Sequence, residues 1–175
     1  MRKITTLSLS VLLLAGVAVA QEAKKPPLSP PAKAEATING KKVTIDYSAP
    51  SKRGRVIMGE LVPYGKVWRT GANAATTLKT EGDLMIGTVH VPAGTYTLYS
   101  IPGEKEWTLI ISKETGQWGS NYNESKDLGR TKMTVKALAA PVETFAISLP
   151  STGKNQNALS LKWENVEATA RVLAH

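Results

Sequence analysis

Apolar and polar residues alternate along several short segments of the chain, and this period of two is its strongest pattern. Residues 107–112 read Trp-Thr-Leu-Ile-Ile-Ser, with Trp107, Leu109 and Ile111 on one side of an extended chain. Successive side chains of a strand point to opposite faces, so the pattern predicts half-buried strands. No segment of the same region shows a sustained helical period. Further alternating segments predict strands at 132–136, 145–149, 159–164 and 166–172.

Turn-forming residues separate these segments at close spacing. Asn39-Gly40 lies between residues 35–38 and 42–47, and this dipeptide favours a two-residue hairpin because both residues tolerate positive φ. Prolines and glycines at 92–94 and 102–104 separate further short strands. Together these signals predict a single all-β domain, either an antiparallel β-sandwich or a jelly-roll-like barrel. A closed barrel that holds a ligand is the alternative, and strand counting does not separate the two.

The N-terminal segment has the features of a secretory signal peptide. Two basic residues precede an apolar run over residues 7–19, which ends in the small-residue pattern Ala18-Val-Ala20. The run is shorter than the ~20 apolar residues of a transmembrane helix, and no later segment approaches that length. We therefore expect an exported protein, periplasmic or extracellular, without a transmembrane segment. The predicted organisation is a signal peptide at 1–20, a proline-rich linker at 21–33 and the all-β domain at 34–175.

The chain is basic, with 22 lysine and arginine residues, 14 acidic residues and a formal charge of +8. Loss of Arg2 and Lys3 with the signal peptide would leave 20 basic residues and a charge of +6. Such a charge favours weak association with anionic lipid headgroups, cell-wall polymers or acidic polysaccharides, or it serves solubility alone. Nucleic acid is not an expected partner, because the lysines are scattered and no binding motif is present. With no cysteine in the sequence, we expect neither disulfides nor a thiol nucleophile.

The densest cluster of aromatic, cationic and turn-forming residues is the segment 59–73, which we call the motif: Gly-Glu-Leu-Val-Pro-Tyr-Gly-Lys-Val-Trp-Arg-Thr-Gly-Ala-Asn. On a strand, Arg69 would share a face with Val67, and an arginine near a core is costly unless it is paired. We predict an ion pair between Arg69 and either Asp46 or Glu60, with recognition of a ligand carboxylate, phosphate or sulfate as the alternative.

Aromatic residues in and near the motif allow two interpretations. Trp68 is either a core or edge aromatic, or it forms a stacking platform for sugar rings together with Tyr64 and Tyr47. The cationic segment 52–55 is either a solvated turn or an anion contact through residues such as Arg55. Gly71 and Asn73 are expected to supply turn geometry with positive φ. The segment 118–123 reads as a polar loop with aromatics.

Catalytic chemistry has little support in the sequence. His90 and His175 are the only histidines, which is too few for a multi-histidine metal site, so we expect no metal and no cofactor. His90 most simply faces solvent between two inward valines, and no nucleophile elbow is present. Asp46 and Glu60 leave a carboxylate-based mechanism formally open.

Five segments together resemble an exported bacterial family of unknown function, numbered twenty-nine eleven. They are Tyr-x-x-Pro-x-x-x-Gly-Arg at 47–55, the motif from residue 61, Pro-Ala-Gly-Thr-Tyr at 92–96, Ile-Pro-Gly-Glu-Lys-Glu-Trp at 101–107 and Trp-Gly at 118–119. The resemblance covers about residues 34–169 and implies a secreted or periplasmic all-β domain with no assigned activity. Family members often carry an acidic residue after the motif's asparagine, where this chain has Ala74.

These observations favour a non-catalytic envelope module that binds a glycan or an anionic small ligand. A hydrolase or isomerase using Glu60 or Asp46 near the motif, or a purely structural envelope protein, are the alternatives. The candidate ligand-binding residues are Tyr64, Lys66, Trp68, Arg69, Asn73, Tyr47 and Arg55.

Overall fold

The computed structural model describes residues 27–174, so the predicted signal peptide lies outside the described residues. Within that range the chain forms ten strands and one short 3-10 helix, Glu124–Lys126. This confirms the predicted all-β class and agrees with a single domain. The strands are β1 Pro31–Ile38, β2 Lys41–Ser48, β3 Thr76–Thr80, β4 Leu84–Ile86, β5 Val89–Val91, β6 Gly94–Ile101, β7 Glu106–Ser112, β8 Asp127–Ser148, β9 Ser151–Gly153 and β10 Gln156–Ala174.

All ten strands belong to one antiparallel sheet. Nine of them follow the order β1-β2-β3-β6-β7-β8-β10-β4-β5, and β9 pairs with β10. Within the described residues the outer strands β1 and β5 do not pair with each other, so the sheet is open. β1 nevertheless contacts β8 and β10, which shows that the sheet folds back on itself. No helix of the described residues is long and apolar enough to span a membrane.

The predicted hairpin at Asn39-Gly40 is confirmed. β1 and β2 pair from Pro31 with Ser48 to Ile38 with Lys41, and Asn39 and Gly40 take φ values of 49° and 73°. Two successive positive φ values give the turn the twist that antiparallel strands require. β1 begins at Pro31, so the strand starts inside the segment predicted as linker.

The core consists of the inward positions of the alternating segments. Trp107, Leu109 and Ile111 are at most 2 % exposed, as their alternation predicts. The opposite face of β6 and β7 is not polar surface, however, because Tyr99 and Ile110 are also buried. The loop 113–123 covers this face. The prediction of a half-buried strand is therefore wrong for β7, since the loop that directly follows this strand packs back onto the second face of β6 and β7.

An irregularity where β8 meets β10 anchors the segment that leads into the motif. The register shifts on both sides of Glu164, which has a positive φ of 52°, uncommon for a residue other than glycine. Its carboxylate accepts hydrogen bonds from the backbone N–H groups of Ile57 (3.3 Å) and Met58 (3.0 Å). On β8, the Glu143 carboxylate accepts one from the Arg53 N–H at 2.7 Å. Two acidic side chains, one on β8 and one on β10, thus hold the connection between β2 and β3, although they lie about 90 to 107 positions further along the chain.

Candidate functional site

The motif lies in the long connection between β2 and β3 and is not a regular strand. It is held to the sheet at Trp68, whose N–H donates to the Ser100 carbonyl (2.7 Å) and whose carbonyl accepts from the Ser100 N–H (2.9 Å). Thr70 is fully buried, whereas Lys66 and Val67 are exposed. Because Trp68 forms the one bridge between the motif and a strand of the described sheet, strand alternation describes just the residues next to it.

Trp68 is a partly buried aromatic that packs against the core. Its ring stacks on Trp163 at a centroid distance of 5.9 Å and meets Phe145 (5.0 Å) and Trp107 (6.2 Å) edge-on. Its indole N–H donates to the Gly71 carbonyl at 3.1 Å. With these neighbours on it, the indole is not a free platform for a sugar ring.

Tyr47 is also committed to the fold. Its ring packs edge-on against Phe145 at 5.7 Å, and its hydroxyl oxygen accepts the backbone N–H of Ile147 at 3.1 Å. Tyr64 remains 39 % exposed. Of the three residues in the proposed stacking platform, only Tyr64 presents open surface, so the structure favours the core interpretation of the other two.

The predicted ion pair of Arg69 is wrong. Asp46 pairs with Lys33 at 3.2 Å, and no carboxylate of the described residues lies within ion-pair distance of Arg69. Arg69 is half-buried, and its Nε is buried without a hydrogen-bond partner. Sequence proximity failed as a guide because the motif loop carries Arg69 to the loop 113–123, away from Asp46.

Close packing against Gly119 positions the Arg69 side chain. A Cβ atom at residue 119 would lie 2.1 Å from Arg69 Cδ and 2.7 Å from the Asn73 carbonyl oxygen. The neighbouring Trp118 forms a bridge with Ala74. Only glycine allows this approach, so the loop 113–123 forms one wall of the site.

Two depressions flank Arg69, and together we call them the Arg69 site. Their volumes are about 330 Å³ and 240 Å³, and both are lined by Leu61, Val62, Trp68 and Arg69. Lys66 lines the first and Arg55 the second, while no carboxylate lines either. The remaining lining residues of the first are Pro63, Val67, Gly119, Ser120 and Tyr122, and those of the second are Ser29, Pro50, Gly71, Ala72 and Trp163.

The other predicted site residues take different places. Arg55 is tied to its own turn, with Nε donating to the Lys52 carbonyl at 2.9 Å and Nη2 donating to the Ser51 carbonyl at 2.7 Å. Asn73 is exposed with φ of 58°, which confirms its turn role. Four of the seven predicted residues thus line the Arg69 site: Lys66, Trp68, Arg69 and Arg55. Tyr47 packs against the core, and Tyr64 and Asn73 lie outside the lining.

Tyr122 is a wall residue that sequence reasoning did not single out. Its hydroxyl donates to Asp127 Oδ2 at 2.8 Å and accepts from Arg130 Nη2 at 2.7 Å. Burial, together with the hydrogen bond to Asp127, raises the pKa of Tyr122 to about 12, so the phenol is neutral at physiological pH. Gly119 and Tyr122 belong to the predicted aromatic loop, and the glycine beside Trp118 was the one local signal of close packing.

The family of the chain follows from its match to a family model. The model described as Protein of unknown function (DUF2911) matches residues 29–172, from just before β1 into β10. The chain belongs to this DUF2911 family. The match confirms the resemblance found in the sequence. No curated protein and no solved structure matches the chain.

A larger concavity of this DUF2911 domain lies away from the motif. It has a volume of about 730 Å³, runs across β7, β8 and β10, and contains Arg130, Lys132 and Arg171. Arg130 pairs with Asp127 and Glu124, and Lys132 pairs with Glu106. We favour the smaller Arg69 site because two of the three cations of the larger groove already have carboxylate partners.

A metal site and an acid–base pair each require a particular grouping of side chains. Within residues 27–174, no three acidic, histidine or cysteine side chains are grouped closely enough to hold a metal ion. Neither Asp46 nor Glu60 lines the Arg69 site. His90 is exposed between two buried valines, as predicted, and its imidazole lies 3.4 Å from Asp83. The cations that line the Arg69 site suit recognition of negative charge.

Proposed function

We propose that this DUF2911 domain is an exported, non-catalytic binding module that takes up an anionic small ligand at the Arg69 site. The ligand class is a carboxylate, phosphate or sulfate, including an acidic sugar recognised through its charged group. The single observation that supports this most is the buried Nε of Arg69, which has no partner in the described residues.

A buried donor without a partner is unfavourable, and more so when it carries charge. An anion in the site would supply the missing acceptor. Guanidinium groups bind carboxylate and phosphate oxygens through two parallel hydrogen bonds, which gives both strength and orientation. Lys66 and Arg55 add positive charge to the two depressions, and no lining carboxylate competes for Arg69.

Isothermal titration calorimetry of the protein purified after export tests this proposal. The titrants are phosphate, sulfate, acetate and glucuronate at low ionic strength. Arg69→Met keeps the length and apolar stem of the side chain but removes its charge and donors. We expect at least one anion to bind the native protein and to bind the variant about tenfold more weakly or worse, a loss of about 1.4 kcal/mol or more.

Arg171→Gln is the matched control. Arg171 is an exposed arginine in the larger groove, outside the Arg69 site. Its replacement lowers the net charge by the same amount and should leave anion binding unchanged. Absence of binding to every anion, or an equal loss in both variants, would contradict the proposal, and a loss in Arg171→Gln alone would move the site to the larger groove.

A further inference from the structure

The exposed large apolar side chains of the described residues are concentrated around the motif. Four of the six belong to the motif or to the loop 113–123 that forms one wall of the Arg69 site, and we call them the apolar rim: Leu61 (47 % exposed), Tyr64 (39 %), Val67 (40 %) and Trp118 (58 %). The other two are Val56, beside Arg55, and Leu28. Scattered exposed apolar residues need no explanation, but a group of them with tryptophan and tyrosine at one place indicates an interaction surface.

Each rim residue either lines the Arg69 site or is next in sequence to a residue that does. Leu61 and Val67 line the same depression as Lys66 and Arg69. Trp118 precedes Gly119, which lines that depression too and packs directly against Arg69. The motif residue Gly65, next to Tyr64, is fixed by a hydrogen bond from its N–H to the Pro102 carbonyl at 2.8 Å. The hydrogen bond at Gly65 and the packing at Gly119 therefore hold the two segments that carry Tyr64 and Trp118.

Positive charge lies among these apolar side chains. Lys66, Arg69 and Arg55 all line the two depressions, and none of them forms an ion pair within residues 27–174. Glu60 is the acidic residue nearest to them in the motif sequence, and it lines neither depression. The surface thus combines unpaired cations with exposed indole, phenol and aliphatic groups.

We propose that the apolar rim, together with Lys66 and Arg69, docks this domain on the surface of an anionic lipid bilayer. Tryptophan and tyrosine are favoured at the boundary between headgroups and acyl chains, where their rings are amphipathic. Lysine and arginine beside them gain from the negative surface potential. The two contributions act together, as they do in interfacial segments that bind membranes without spanning them.

Charge complementarity selects a bilayer as the occupant of this surface. The formal charge of the chain is +8, and the cations at the rim have no carboxylate partner among the described residues. Of the apolar rim, only Leu61 and Val67 line the depressions, and the four apolar groups are spread over the motif and the loop 113–123 instead of lining one groove together. They therefore suit a broad anionic surface better than an inserted peptide helix. Docking uses Lys66 and Arg69 but does not require a ligand in the site.

Co-sedimentation with vesicles tests the inference, using protein purified after export with its N-terminus determined by mass spectrometry. One vesicle population is phosphatidylcholine alone, and the other contains phosphatidylglycerol as well. We expect binding to the second population only, with affinity that falls as salt is added. All variants share the same N-terminal segment, so differences among them report on the rim.

Replacing rim residues should weaken vesicle binding in a graded way. The double variant Leu61→Ser, Trp118→Ser removes most of the exposed apolar contact and should lower the affinity on the order of tenfold or more. Trp118→Phe should retain most of the binding. Lys66→Gln should cost about fivefold, the effect of one cation at a membrane surface. Lys154→Gln, at an exposed position outside the rim, is the charge control and should change little.

Three outcomes would overturn docking: no sedimentation with either population, equal sedimentation with both, or unchanged sedimentation of the Leu61→Ser, Trp118→Ser variant. Saturable binding of soluble short-chain phosphatidylglycerol without vesicle binding would also overturn it, in favour of a single-lipid site. Calorimetry with free anions keeps this result separate from the proposed function. If phosphate binds through Arg69 while vesicles do not sediment the protein, docking fails and the binding module stands.

Discussion

Glu167 is buried and Arg69 is half-buried, so both charged side chains are partly removed from water. Only Glu167 has charged and hydrogen-bonding partners among the described residues. Its carboxylate accepts a hydrogen bond from Ser160 (2.6 Å) and lies 2.9 Å from Lys136 and 3.5 Å from Lys162. Burial by itself raises the pKa of Glu167, yet the bonds from Ser160 and Lys136 outweigh it and hold the pKa below its ordinary value. Arg69 has no such compensation. The contrast distinguishes a charge that serves the fold from one that is left available to a ligand.

The largest effect is expected from Glu167→Ala. The substitution leaves the buried Ser160 hydroxyl without its acceptor and removes the carboxylate between two lysines. We expect the free energy of unfolding to fall by about 2–3 kcal/mol, measured by urea denaturation. Glu106→Ala is the control, because its ion pair with Lys132 is exposed and should contribute less than about 1 kcal/mol. Equal losses of unfolding free energy in the two variants would show that the partners of Glu167 contribute no more to stability than an exposed ion pair does.

A smaller effect is expected from Gly119→Ala, which tests the wall of the Arg69 site. The added methyl would lie 2.1 Å from Arg69 Cδ, so the arginine or the loop must move. We expect a loss of about 1–2 kcal/mol in stability and weaker anion binding. Gly153→Ala on β9 is the control, since the nearest atom to its Cβ would be 4.0 Å away. An unchanged affinity in Gly119→Ala would show that the wall does not position Arg69.

The third prediction concerns pH. The pKa of Glu167 is lower in the folded protein than in the unfolded chain, so its ionised form stabilises the fold above the ordinary glutamate value of about 4.3. That contribution is lost as the pH falls through the lowered pKa. We expect Glu167→Gln to show a flatter loss of stability in acid than the native protein. Denaturation curves at stepwise lower pH measure this, and parallel pH profiles of the two proteins would contradict it.

The smallest and most informative change is expected from Arg69→Met. Removing an uncompensated, half-buried charge should leave the unfolding free energy unchanged or raise it by up to about 1 kcal/mol. The midpoint of thermal unfolding without ligand reports the effect. A destabilisation as large as that of Glu167→Ala would mean that Arg69 has a structural partner. It would contradict the proposed difference between Glu167 and Arg69.

The sequence predicted the strands well where one face meets the core. Phe145 and Ile147 of β8 are buried and alternate with the less buried Ala146 and Ser148, and burial of one strand face imposes that period directly on the chain. The Asn39-Gly40 hairpin was equally readable, because its φ values depend on two adjacent residues. The burial of Tyr99 and Ile110 could not be predicted in this way, since it depends on how the loop 113–123 packs back onto β6 and β7.

The site was predicted in part. The motif pointed to Lys66, Trp68 and Arg69 through its density of cationic and aromatic residues, and these residues do line one depression. The partner expected for Arg69 was wrong, because nearness along the chain does not decide which side chains meet. Gly119 is separated from Arg69 by 50 positions, so no local pattern connects them.

By itself, the sequence determined the all-β class, the Asn39-Gly40 hairpin and the family, because alternation, turn chemistry and motifs are properties of neighbouring residues. The tertiary structure alone decided that Trp68 packs against the core, that Glu164 anchors the connection before the motif, and that Arg69 lacks a partner. Each of these depends on contacts between residues far apart in the chain, which arise only when the sheet folds back on itself and a loop covers its outer face.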